Sequence, residues 1–452
     1  MYSLTTTTTG GENTGIGYEA LSLTTTGGQN AAVGAYALEN NTTGGHLCAF
    51  GYKALEANTT ANYNVAIGFY ASLKNTTGDQ NTAIGKAALE QNVSGGHNVA
   101  IGYNALEENT ASNNTAIGKS ALGLNTTGTG NVAIGVDTLD AATTASYNTA
   151  VGNYALSTTT TGEQCTAVGY EALKLNTGHF NCALGFQALE ANSTGTNNTA
   201  LGHNASDVNT TGIDNTAVGS QALSTATTAD RNTAVGSYAG DTLTSSPKNT
   251  IVGSYAGHEI TTGDGMNVTI GYDAGDTITT GDRCVCVGTN ANPNSATGTK
   301  QYVFGHDIVG KGDNTAFIGG SSGAFNEENV TVWRTTSDQR IKKNIVNYNT
   351  GLSIINQIQV RNFEYKTEDE VKTANPELTD VVKSAVVNKT GTQLGLIAQE
   401  VEAVLGSAVS TNSGGVKTLQ TEGLFWHMLN AIKELSVKNT ALETRIATLE
   451  AA

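Results

Sequence analysis

Asn81-Thr82-Ala83-Ile84-Gly85, followed by Ala88-Leu89 and the pair Gly95-Gly96, is one copy of a unit that fills most of the chain. Aligned on its first glycine, the unit places Gly17, Gly34, Gly51, Gly68, Gly85 and Gly102 at intervals of 17 residues. It continues with small slips to Gly305 and Gly319, nineteen copies in all. The residue before this glycine is apolar in every copy, and Asn lies four residues before it in most. Self-similarity at a fixed period of this length is the signature of a solenoid. The pentapeptide is short, alternating and β-branched, which suits a strand with Thr82 and Ile84 on one face and Ala83 on the other. Ala88-Leu89 supplies a second apolar anchor, and groups such as Thr76-Thr77-Gly78 turn the chain. The regular glycine points to a positive φ or to a close approach between coils. The asparagines would stack into a ladder, bonding to one another or capping turns. With strands ~4.8 Å apart, the coils make a rod of roughly 90 Å.

A coil of 17 residues with two apolar anchors encloses little core, and the small alanine invites a neighbouring chain. Several copies side by side, a homotrimer, are therefore the expectation. Met1-Tyr2-Ser3-Leu4-Thr5 is in phase with Asn153-Tyr154-Ala155-Leu156-Ser157, so the sequence opens inside a coil. That leads us to expect a fragment of a longer fibre or a distal segment that docks separately, with other proteins at its N-terminal end.

Composition narrows the function. The 452 residues hold 54 Gly and 3 Pro, without the glycine at every third position that collagen needs. Residues 337–452 hold 13 acidic and 12 basic side chains, a net of −1; from totals of 39 and 23, residues 1–336 keep 26 and 11, a net of −15. A long acidic region argues against nucleic-acid binding, which wants a basic footprint, and favours solubility. No apolar run approaches the length of a membrane span, and residues 1–20 lack a signal-peptide pattern. The cysteines Cys48, Cys165, Cys182, Cys284 and Cys286 lack framework or zinc-ligand spacing and read as small fillers of the strand segment. No histidine pair has ligand spacing, so neither a metal nor a cofactor is expected. Acidic residues such as Glu90, Glu107 and Glu190 stand singly at coil edges, without the paired carboxylates that glycan hydrolysis needs.

The repeat ends near residue 325. After a junction at 326–336, with Val330–Trp333 as a last strand, the composition becomes that of an ordinary mixed domain, 337–452. It opens on Ser337-Asp338-Gln339-Arg340-Ile341-Lys342, and a helix is expected at Leu352–Ile358, with strands at Val360–Lys366 and Gln393–Ala398. Phe425, Ile432, Asn439 and Ile446, with Met428, Leu435, Leu442 and Leu449, keep heptad spacing. They form the a and d positions of a coiled-coil helix over about 421–452 that Thr421 and Glu422 start. Isoleucine at a with leucine at d would by itself favour a dimer.

Ser337-Asp338, Arg340-Ile341-Lys342 and Asn344-Ile345 resemble the start of the intramolecular chaperone domain of endosialidase-type phage tail spikes and fibres. Phe363-Glu364-Tyr365, Gly395-Leu396-Ile397-Ala398-Gln399-Glu400-Val401 and Ala431-Ile432-Lys433-Glu434-Leu435 carry the resemblance through 337–452. It implies a trimerising domain that assists folding and then cuts itself off between Thr336 and Ser337. Ser337 and Lys342 map onto the family's catalytic dyad, with Asp338 and Arg340 in support and Lys343 as the rival to Lys342. A serine needs an adjacent base, and a lysine serves if burial makes it neutral. A spacing of five does not align two side chains on one helix face, so a turn or the packing of the assembled trimer must bring them together.

The fold expected is thus mainly β: a solenoid shaft over 1–325, followed by a small α+β chaperone with a coiled-coil helix. The function expected is a phage tail or neck fibre, a virion protein made in the host cytoplasm that binds a host-surface glycan or protein. Its chemistry is confined to one self-cleavage, with no action on external substrates, no nucleic acid and no membrane insertion. A bacterial surface adhesin or an ice-binding solenoid with the same tail is the alternative, although the Thr row is interrupted by Val65, Val99, Val132 and Cys182.

Overall fold

The computed structural model describes residues 4, 6, 8–319, 324–327, 339, 342–367, 369–371, 390–411 and 417–451. The chain divides into two compact units, Met1–Thr336 and Ser337–Ala452.

The first unit is a β-solenoid. Each coil contributes one short strand, of three residues in nearly every case, to a common sheet, and successive strands pair in parallel and in register, as in Thr82–Ile84 with Val99–Ile101 and Val65–Ile67. Together with a final antiparallel strand they form one 20-stranded sheet. That last strand, Ala324–Glu327, folds back on Thr315–Ile318 as a hairpin at the point where the repeat ends. The expected strand at Val330–Trp333 lies outside the described residues. Leu4 keeps the phase of the repeat: its backbone is left-handed (φ 54°) like that of Leu21 and Leu38, and its N–H donates to Ala20 O at 3.2 Å.

The alternation expected of the strand is present, but its two faces have the opposite use from the one anticipated. Ala83, Ala100, Ala116 and their equivalents are fully buried inside their own coil, against Leu89, Leu106 and Leu122, also 0 % exposed. One chain therefore encloses its own continuous core. The bore is so narrow that an alanine opposite a leucine fills it, and the inward strand position is alanine from Ala32 to Ala234; where Gly240, Gly257 and Gly275 stand in place of the leucine, the inward residue is larger, as with Ile251 and Thr269. The residue that faces outward is the large one.

The close approach between coils falls on the aligned glycine. A Cβ on Gly85 (φ +136°) would lie 2.4 Å from Gly102 O, and one on Gly118 (φ +140°) 2.1 Å from Gly135 O. Only glycine combines that conformation with that contact. Less expected are the left-handed non-glycine residues. Tyr36 (φ 61°) and Leu38 (φ 52°) sit two and four residues after Gly34, and this pattern recurs in most coils. Their N–H groups bond to different neighbours, Tyr36 to Tyr18 O behind (2.8 Å) and Leu38 to Ala54 O ahead (3.0 Å). Hydrogen bonds on both sides hold residues where isolated chains rarely stay.

Two buried asparagine ladders tie the coils together. In the first, just before the strand, Asn131 Oδ1 accepts from Asn148 N–H at 3.0 Å and Asn131 Nδ2 donates to Ala145 O at 2.8 Å. The side chain thus substitutes for backbone where the strand has not begun. Leu47, Cys165, Cys284, Gln301 and Thr315 replace asparagine at this position. The two cysteines there are more than apolar fillers, since their thiols point at Gly178 O (3.4 Å) and Gly298 O (3.3 Å) where an amide would donate. In the second ladder the bonds run side chain to side chain, as from Asn58 Nδ2 to Asn41 Oδ1 (2.9 Å) and from Asn125 Nδ2 to Asn109 Oδ1 (2.6 Å). Asn92 Oδ1, Asn125 Oδ1 and Asn209 Oδ1 are buried without a partner, the last two because the next coil carries Ala142 and Ala226.

The second unit contains helices α1 (Leu352–Ile355), α2 (Ala398–Val404) and α3 (Thr421–Glu450). Strand Arg361–Phe363 pairs antiparallel with Gln393–Gly395, and Val409–Thr411 with Lys417–Leu419. Both expected strands exist but are shorter than the sequence suggested. The unit's small core joins Val401, Ala408 and Leu424, with Ile358, Leu396, Leu405, Val409 and Leu419 packed on it.

Candidate self-cleavage site and the chaperone unit

The six residues at the start of the second unit are the candidate site. Thr336, Ser337, Asp338 and Arg340 lie outside the described residues. Gln339 and Lys342 are described and exposed. The Lys342 N–H donates to Gln339 O at 3.1 Å, closing a turn between the candidate serine and lysine. Lys343 is likewise exposed. A lysine becomes a base when burial disfavours its charged form, and within one chain Lys342 is not buried.

The segment beyond this turn is anchored to α3. Asn430 Nδ2 donates to Tyr348 O at 2.8 Å, and His427 Nδ1 lies 3.1 Å from Thr350 O. Glu434 Oε1 accepts from the N–H groups of Gly351 (2.8 Å) and Leu352 (3.3 Å), so a carboxylate on one helix satisfies the otherwise orphaned first donors of another. Gly351 makes this docking possible, because a Cβ there would lie 2.2 Å from Ala431 N. Nothing in the sequence pairs Glu434 with position 351, 83 residues away.

Helix α3 therefore uses one face inside the unit and leaves another bare. Leu424, His427 and Ala431 are buried. The heptad residues are not: Phe425, Met428, Ile432, Leu435, Leu442, Ile446 and Leu449 are all about half exposed or more. Seven apolar side chains in heptad register, facing water, are what one strand of a coiled coil looks like without its partners.

Among the described residues, no group of histidine, cysteine and acidic side chains could hold a metal ion. No helix among them is long and apolar enough to cross a membrane.

Residues 337–410 match the family described as chaperone of endosialidase, and the match begins on Ser337. The molecule is thus a β-solenoid that carries a chaperone-of-endosialidase domain at its C-terminal end, as the motifs indicated. Helix α3 lies beyond the matched residues. No curated protein matches the chain.

Proposed function

We propose that this chain is the shaft of a trimeric fibre, a tail or neck fibre of a phage particle that binds the host surface. Its C-terminal unit gathers three copies and is then released by a cut between Thr336 and Ser337. The observation that carries the reading is the union of a long solenoid with a chaperone-of-endosialidase domain that starts on Ser337. The bare heptad face of α3 supports assembly through this unit.

The cut needs only groups in the chain and water. Ser337 Oγ adds to the Thr336 carbonyl carbon while Lys342, neutral once desolvated, takes the hydroxyl proton. The C–N bond breaks and the Ser337 amine receives a proton, which leaves Thr336 as an ester on Ser337 Oγ. Water hydrolyses the ester to a Thr336 carboxylate and a free serine. The exposure of Lys342 in a single chain supports a cut that waits for assembly, because a second chain would supply the burial that makes the amine a base.

Expression of the full chain tests this. The expected result is two fragments on a denaturing gel, the smaller beginning at Ser337, while Ser337→Ala and Lys342→Ala remain intact and still trimerise. Trimers of the unaltered chain that stay uncut would remove the self-cleavage step. A monomeric chain would remove the fibre.

A further inference from the structure

Among the described residues of its own unit, the outward face of the solenoid sheet has no partner. Its third strand position is apolar in all nineteen parallel strands. Ile16, Phe50, Ile67, Leu184, Ile270 and Phe304 there are 37–56 % exposed. The first strand position alternates among Thr, Val, Cys, Ala and Tyr, and neither row contains a charged residue. This charge-free band runs the length of a region whose net charge is −15. Eleven of the ridge side chains are more than a third exposed, and with their neighbours they offer on the order of 1,000 Å², against the ~800 Å² that one partner contributes to a stable interface. Monomeric proteins rarely leave so large an apolar patch in water.

We infer that copies of this chain pack on one another through this ridge, parallel and in register, so that each coil meets its own equivalent. The inference rests on the trimeric reading above and adds to it the face, direction and register of the shaft interface. Periodicity selects the occupant: a surface that matches one apolar side chain every ~4.8 Å over nineteen strands must carry the same repeat. Direction follows from symmetry. Copies related by rotation about an axis parallel to the solenoid present identical residues to each other at every level. The bare heptad of α3 asks for the same arrangement. Residues half a coil away, such as exposed Leu124, face outward from the assembly.

The chain contains its own probes. Cys48 and Cys182 occupy the first strand position and are at least partly exposed, whereas Cys165, Cys284 and Cys286 are buried. In the full chain, cleaved or not, a short bifunctional maleimide should join Cys48 to Cys48 and Cys182 to Cys182. Two-chain and three-chain products should result, identified by mass spectrometry of the linked peptides. Cys48→Ser with Cys182→Ser should abolish them, and Leu124→Cys in that background should not restore them. Sedimentation of the same sample gives the oligomeric state independently. A trimer without these links, with links only between unequal positions, or with links through Leu124→Cys overturns the ridge and leaves the trimeric reading intact. A monomer overturns both.

Discussion

Two buried asparagines six residues apart in the same coil should respond very unequally to the same truncation. Asn131 and Asn125 are both 0 % exposed. Asn131→Ala removes the side chain that accepts from Asn148 N–H (3.0 Å) and donates to Ala145 O (2.8 Å). Two backbone groups are then orphaned in the core, at ~1–3 kcal/mol each, for a total of ~2–6 kcal/mol. Asn125→Ala orphans nothing. Gly128 O keeps Asn114 Nδ2 at 2.8 Å, Asn109 Oδ1 keeps the same amide at 3.3 Å, and the deleted Asn125 Oδ1 had no partner. Its cost should be ~1 kcal/mol or less. A repeat array loses stability locally, so the assay is hydrogen exchange by peptide across residues 110–165, with thermal unfolding alongside. Asn131→Ala should open that window by at least tenfold in exchange rate while Asn125→Ala changes it little. Equal effects, or a larger one from Asn125→Ala, would refute the idea that the first ladder serves as backbone and the second as filling.

Four further outcomes are expected. Gly118→Ala places a methyl 2.1 Å from Gly135 O in a conformation closed to alanine, at a cost of ~3 kcal/mol or more, and should create a new site of limited proteolysis near that coil. Gly11→Ala, with nothing within 4 Å of the added carbon, should stay within ~0.5 kcal/mol. Glu434→Ala orphans the Gly351 and Leu352 N–H groups and should lower the stability of the second unit by ~1–3 kcal/mol, as chemical denaturation of the chaperone unit would measure. The shaft should melt higher in mild acid than at neutral pH. Burial raises the carboxyls of Glu39, Glu107, Asp140, Glu190, Asp207 and Asp276 above their ordinary range, helped by neighbouring acids. For His258 burial opposes the charge, but its bond to Asp241 and the other acids nearby outweigh it and raise the pKa. In both cases the folded state binds protons more tightly, so stability is present below the unfolded pKa values and is lost as pH rises through the folded ones. A melting temperature that falls steadily from pH 7 to pH 5 would contradict this.

The solenoid was legible because its evidence is repetition: Gly85, Ile84 and Asn81 recur in phase, and no single-residue propensity has to be trusted. Which strand face is core was not legible. Ala83 and Ile84 are both apolar, and choosing Ala as the inward one requires the bore of the coil, a tertiary quantity. The left-handed Leu38 and Leu89 ran against local propensity, because bonds between coils override what a leucine does alone. In the second unit the heptad of α3 was plain from Phe425 to Leu449. The clamp of Glu434 on Gly351 was not, since it joins residues far apart by one close approach. The candidate serine and lysine were found as a motif, and the turn at Gln339–Lys342 is the only part of their geometry that the described residues add.

The aligned glycines have one more implication. Each coil meets the next through the same close backbone contact, so the shaft can lose or gain a whole 17-residue coil without creating a new kind of junction. An insertion or deletion of any other size must be absorbed within a turn, as happens between Gly102 and Gly118 and between Gly253 and Gly271. Length here is a digital property, graduated in steps of ~4.8 Å, and a gene encoding such a shaft can change the reach of its product by unequal recombination alone while every interior contact stays as it was.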